Sequence, residues 1–132
     1  MAKFETMTLP TEPDAKAPDG SQVRVLLRLD AGSMAHFQLE PGQTSKAVAH
    51  RSVEELWYLL SGRGEMWRSQ RGHSEVVSLS EGCCMSIPAG TSFQFRCLDD
   101  EPLCALAVTM PPWPGEDEAS LVHGAWPTAA GP

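Results

Sequence analysis

The 132-residue sequence predicts an all-β fold, a two-layered sandwich or barrel, and three features carry that reading. Its apolar residues fall in short runs, most alternate with polar ones, and nearly every run is closed by Gly, Pro, Asp or Ser. Eight such runs at regular spacing are the pattern of a small sandwich or barrel. The length suits one domain, large enough to bury roughly two-thirds of the surface that its unfolded chain exposes.

In order, the runs are VRVLLRL before DAGS, MAHFQLE before PGQT, ELWYLL before SGRG, EMWRSQ before RGH, EVVSLS before EGCC, MSIP before AGT, FQFRCL before DDEP, and LCALAVTM. One local signal argues for a helix, since Ser52-Val53-Glu54-Glu55 has the form of an S-x-x-E capping box. The apolar stretch behind it, Leu56 to Leu60, contains Trp and Tyr and stops at Ser61-Gly62, which suits a strand. Residues 1–20 are polar and proline-punctuated and read as an extended arm, 21–110 as the barrel, and 111–132 as a tail. Prolines keep the tail from forming a central strand. Trp113, Leu121, Val122 and Trp126 give it apolar anchors with which to pack over a barrel or a partner subunit.

The net charge of -7, with scattered Lys and Arg, argues against a nucleic-acid backbone as partner. Small molecules or other proteins are expected instead. There is no apolar leader or membrane-length apolar run, so a cytoplasmic protein is expected. Cys83, Cys84, Cys97 and Cys104 form no C-x-x-C pair and read as reduced thiols, with Cys97 placed to approach the interior.

Two stretches carry the candidate chemistry. PGQTSKAVAHRSVEELWYLLSGRG supplies Gly42, His50, Glu55 and Gly62 to the pattern G-x5-H-x-H-x4-E-x6-G, with Val48 in place of the first histidine. EGCCMSIPAGTSFQFRC supplies Gly82, Pro88 and Gly90 to G-x5-P-x-G-x2-H-x3-N, with Phe93 in place of the histidine and Cys97 in place of the asparagine. On these two motifs, 19 residues apart, the chain from about Gln22 to Met110 resembles the cupin superfamily.

The resemblance implies a double-stranded β-helix, or jelly-roll, barrel with a central ligand pocket. It often also implies a divalent metal such as Fe, Mn, Ni or Zn. Here only His50 and Glu55 remain as metal ligands, because Val48 and Phe93 have no lone pair to donate. A third ligand would have to be recruited from His36, Gln38 or Gln94. Strand alternation places His36 and Gln38 opposite Phe37 and Leu39, facing solvent or a partner, and Gln94 opposite Phe93 and Phe95. Without a metal, His50 and Glu55 read as a hydrogen-bonded polar pair. His73, in a hairpin turn, and His123, in the tail, are expected to be exposed.

The two replacements turn a polar cage into an apolar cleft, with His50 and Glu55 as fixing points and Val48, Trp57, Phe93 and Phe95 as walls. Such a cavity has the profile of a small-molecule site. The sequence thus points to a small-molecule-binding cupin with no assigned substrate. The alternative is a metal-dependent enzyme of dioxygenase or isomerase type using His50, Glu55 and a recruited ligand. No G-x-S-x-G elbow or P-loop is present, and no catalytic residues are assigned. A homodimer is expected, because VRVLLRL is apolar on both faces and wants cover, with the arm or tail lying across the partner.

Overall fold

A computed structural model describes residues 3–128 and contains two antiparallel sheets. The strands are β1 (Ala15–Lys16), β2 (Gln22–Arg28), β3 (Ser33–Leu39), β4 (Val48–His50), β5 (Glu54–Ser61), β6 (Gly64–Gln70), β7 (His73–Leu79), β8 (Cys84–Ile87), β9 (Ser92–Cys97), β10 (Leu103–Met110) and β11 (Ala119–Leu121). One sheet runs β1-β2-β3-β10-β5-β8 and the other β11-β4-β9-β6-β7. All eight expected runs are strands, and the capping-box residues open β5 rather than a helix. The architecture is the expected double-stranded β-helix.

Side-chain alternation builds the interior. On β5, Glu55, Trp57 and Leu59 are buried while Leu56, Tyr58 and Leu60 are exposed. On β9, Phe93, Phe95 and Cys97 point inward and pack with Leu39, Met66 and Ile87. Each fully buried Phe or Leu contributes roughly 1.5–3 kcal/mol by leaving water. The turn between β5 and β6 shows why both of its residues flanking Arg63 are glycines. Gly62 has φ +82°, and a Cβ on Gly64 would lie 2.0 Å from the Arg96 carbonyl oxygen on β9.

The described parts of the arm and the tail lie on their own barrel. The arm is not wholly irregular, since β1 pairs with β2, and Arg24 donates to the carbonyls of Pro10 and Thr11. That clasp corrects one expectation. His36, directly across the ladder from Arg24, is buried rather than facing solvent, and Gln38 accepts from Arg24. The tail adds β11 as an edge strand beside β4, as its prolines permit. Gln94 does project from the outer face of β9, but it is buried there. Its amide donates to the carbonyls of Ser45 and Trp126 and accepts from the N–H groups of Ala125 and Trp126. Arg96 stacks over the Trp126 ring at 4.2 Å. Leu121, expected as an anchor, is exposed, and the tail is held by its backbone bonds to Gln94 together with the Trp113, Glu118 and Trp126 side chains.

Candidate functional site

The two motif segments meet through main-chain bonds before any side chain is considered. Val48 on β4 pairs with Phe93 on β9, and the Gly90 N–H donates to the His50 carbonyl at 2.9 Å. Gly90 holds φ +82° in the turn before β9. From the tail, the Glu118 carboxylate accepts from the Ser52 N–H, the Ser52 hydroxyl and the Val53 N–H, fixing the corner between β4 and β5. His50 and Glu55 flank that corner.

These two side chains sit at the wall of a cavity of about 290 Å³. Val48, Trp57 and Phe93 also line it, whereas Phe95 stands behind Trp57 with ring centroids 5.1 Å apart. Phe95 therefore belongs to the packing beneath the pocket rather than to its surface. Cys97 is likewise buried away from the cavity, with its thiol against the Asp99 and Glu101 carbonyls. The other walls come from Phe37, stacked on Trp57 at 5.4 Å, and from Trp113 of the tail, edge-on to His50 at 4.9 Å. The arm adds Ala15 to Asp19 along the same cavity. Ser33 and Thr109 add to the polar lining, their hydroxyls 2.5 Å apart, and Ser33 accepts from the Trp113 backbone N–H.

Sequence reasoning missed Asp19, Ser33, Phe37, Thr109 and Trp113 as lining residues, because their approach depends on how arm, tail and β3 cross the barrel. The two tryptophans of the tail were the usable signal. His73 and His123 are exposed, as expected, and the four cysteines are free thiols.

Electrostatics follow from burial. One Glu55 oxygen accepts from the Trp57 indole N–H at 2.6 Å, and the other lies 3.6 Å from Nδ1 of His50. Burial pushes the Glu55 carboxyl up to about 7, the nearby Asp19 carboxyl adds to the rise, and the indole hydrogen bond opposes it. Burial also pulls the His50 imidazole down to about 4, against a smaller pull from Glu118. Between these values both groups are neutral, so the contact is a meeting of uncharged polar groups and not an ion pair. Nδ1 of His50 is buried and has no hydrogen-bond partner. Such an atom ordinarily marks a place for water or a ligand.

Residues 35–109 match the cupin domain family, more than half of the chain. The chain belongs to the cupin family. Among curated proteins, this cupin is 29% identical over 108 residues to an uncharacterized protein of Methanocaldococcus jannaschii, covering 78% of this chain and 83% of that one. Among solved structures it resembles a double-stranded beta-helix domain protein of Klebsiella pneumoniae, with TM-score 0.64, 16% identity, and 94% and 100% of the two chains covered. It also resembles oxalate decarboxylase of Bacillus subtilis, a protein with Mn(II) centers, at TM-score 0.65 and 20% identity. That match covers 85% of this cupin and 30% of the larger chain. KdgF of Halomonas sp. matches at TM-score 0.61 and 16% identity, covering 70% and 81%. These likenesses establish the fold.

The donor set of this cupin does not fit a three- or four-ligand metal centre. Val48 and Phe93 face each other where two nitrogen ligands would stand, and one Glu55 oxygen is engaged by Trp57. Among the described residues, no three His, Cys, Asp or Glu side chains cluster as a metal site. His36, Gln38 and Gln94, the candidates for recruitment, lie on outer faces by the arm and the tail, and none of them lines the cavity. No helix among the described residues is long and apolar enough to cross a membrane.

Proposed function

We propose that this cupin binds a small organic molecule in its barrel, with His50 and Glu55 as the polar fixing points and Val48, Trp57, Phe93 and Trp113 as walls. The observation that carries this reading is the unpartnered, buried Nδ1 of His50 beside Glu55 in a largely apolar cavity of about 290 Å³. Cavities of roughly this size, apolar with a few placed polar groups, are the usual form of a small-molecule site. The test pairs metal analysis of protein purified without a polyhistidine tag with a fragment screen by thermal shift. Substoichiometric metal, with stabilising fragments that lose their effect in His50→Ala, is expected. One firmly held divalent metal per chain, lost on substitution of His50 or Glu55, would instead support a metal-dependent enzyme.

The assembled form is proposed to be a two-fold dimer. The arm and tail cover the outer faces of β2, β3 and β9, and the outer face of β5 is left with exposed Leu56, Tyr58 and Leu60. Most soluble homo-oligomers are closed two-fold pairs. Light scattering at micromolar concentration should give a dimer mass that falls to monomer in Tyr58→Glu. A monomeric wild-type protein overturns the proposal.

A further inference from the structure

The cavity sorts its charges by depth. Of the ionisable groups lining it, Asp19 and Glu55 are 5% and 3% exposed, whereas Lys16, Arg28 and Glu116 are exposed at its rim. The deep carboxyls come from different parts of the chain, Asp19 from the arm and Glu55 from β5, yet they are near enough to influence each other electrostatically. Asp19 accepts from both the N–H and the hydroxyl of Ser21, with Lys46 as its basic neighbour. Glu55 has only the indole N–H of Trp57 and the imidazole of His50, and no basic side chain lies at ion-pair distance among the described residues. Two carboxyls buried in one apolar chamber either take up protons or are matched by something of opposite charge, and a bound cation would favour their ionised forms.

The rest of the wall suits such a visitor. Phe37, Trp57, Phe93 and Trp113 line this space beside aliphatic side chains of β2 and β3, with the Phe37 and Trp57 rings stacked on each other. Ring faces attract organic cations, and the attraction grows when water is excluded. Cations of this kind carry their charge on a bulky, weakly hydrated apolar body, so they can fill an aromatic cavity that would reject a strongly hydrated ion. The unpartnered Nδ1 of His50 provides a place for a neighbouring hydroxyl or carbonyl. The net charge of -7 favours cation approach at long range.

We propose that the ligand of this barrel is a small organic cation, an amine or quaternary ammonium compound, held between the aromatic rings and the Asp19 and Glu55 carboxyls. This deepens the small-molecule reading and rests on it. The arm thereby becomes part of the site, because it delivers Asp19.

The experiment compares choline with its uncharged isostere 3,3-dimethyl-1-butanol by tryptophan fluorescence and calorimetry on the full chain. The expected result is a preference for choline of at least about tenfold, equivalent to about 1.4 kcal/mol. That preference should shrink severalfold in both Asp19→Asn and Glu55→Gln, with folding checked by circular dichroism. If one variant fails to fold, the other still decides. Equal or tighter binding of the isostere overturns the cation proposal while leaving the small-molecule site intact. If neither probe binds, the cation proposal also falls. The small-molecule reading falls with it only if an uncharged aromatic probe such as indole fails as well.

Discussion

The two motif segments use the same scaffold geometry for opposite ends. In the first, β4 and β5 keep two polar side chains on the inner face, His50 and Glu55. In the second, β8 and β9 keep the turn, with Gly82 and Gly90 at positive φ and Pro88 between them, but place phenylalanines inside. The backbone requirements of the turns are satisfied in both, whereas the donor groups survive in only one. This barrel thus keeps the glycine and proline positions of its turns while the second segment places apolar rings where the pattern has donors.

The comparison is broken most forcefully by giving the second segment the donor it lacks. In Val48→His with Phe93→His, two imidazoles would enter positions that are paired directly across β4 and β9. Affinity for nickel or zinc by calorimetry is expected to rise by about two orders of magnitude, or about 2.8 kcal/mol. No gain in a folded variant would show that these positions do not converge on His50 and Glu55.

A second test lies within β9. Phe93→Ala and Phe95→Ala should each cost about 3–5 kcal/mol in urea unfolding, since both rings are fully buried. Only Phe93→Ala should also change ligand affinity, because Phe93 lines the cavity and Phe95 stands behind Trp57. Equal effects on affinity would erase the distinction between wall and underlying core.

The pair in the first segment has its own signature. Between about pH 4.5 and 6.5 the unfolded chain carries the pair's one proton on His50, and the folded chain carries it on Glu55, so the two contributions to pH dependence cancel. In Glu55→Gln only the lowered imidazole remains. Stability should then rise with pH from about 4 to about 6.5, by at most about 3 kcal/mol. In His50→Gln the raised carboxyl remains, and stability should fall from about pH 4.5 to 7 by a similar amount. Urea unfolding across this range checks both slopes; two flat profiles would show that neither group is strongly desolvated.

The smallest effect concerns the outer face of the second segment. Gln94→Leu removes four hydrogen bonds to the Ser45 backbone and the tail. A cost of about 1–3 kcal/mol is expected, with faster proteolysis near Trp126. Unchanged proteolysis would mean that Arg96 and β11 suffice to hold the tail.

The barrel was legible because period-two alternation and turn residues are local properties of the chain. Pocket membership of Val48, His50, Glu55, Trp57 and Phe93 was legible from motif spacing plus the same alternation. Alternation cannot tell the layer facing empty space from the layer facing other side chains, which is why Phe95 was placed one layer too far inward. It also cannot foresee cover by distant segments. Gln94 and His36 lie on outer faces, yet the tail and the arm bury them. Asp19, in a Pro-Asp-Gly sequence that reads only as a turn, becomes a cavity residue because the arm is clasped to β2.

We propose that the barrel recognises an organic ligand through His50 and Glu55 without a metal. The most direct test is titration of chelator-treated protein with the best fragment, followed by Trp57 and Trp113 fluorescence. Saturable one-site binding is predicted, unchanged by added nickel, manganese or zinc and weakened about tenfold, or about 1.4 kcal/mol, in Glu55→Gln. Binding that appears only after a divalent metal is restored would contradict the account.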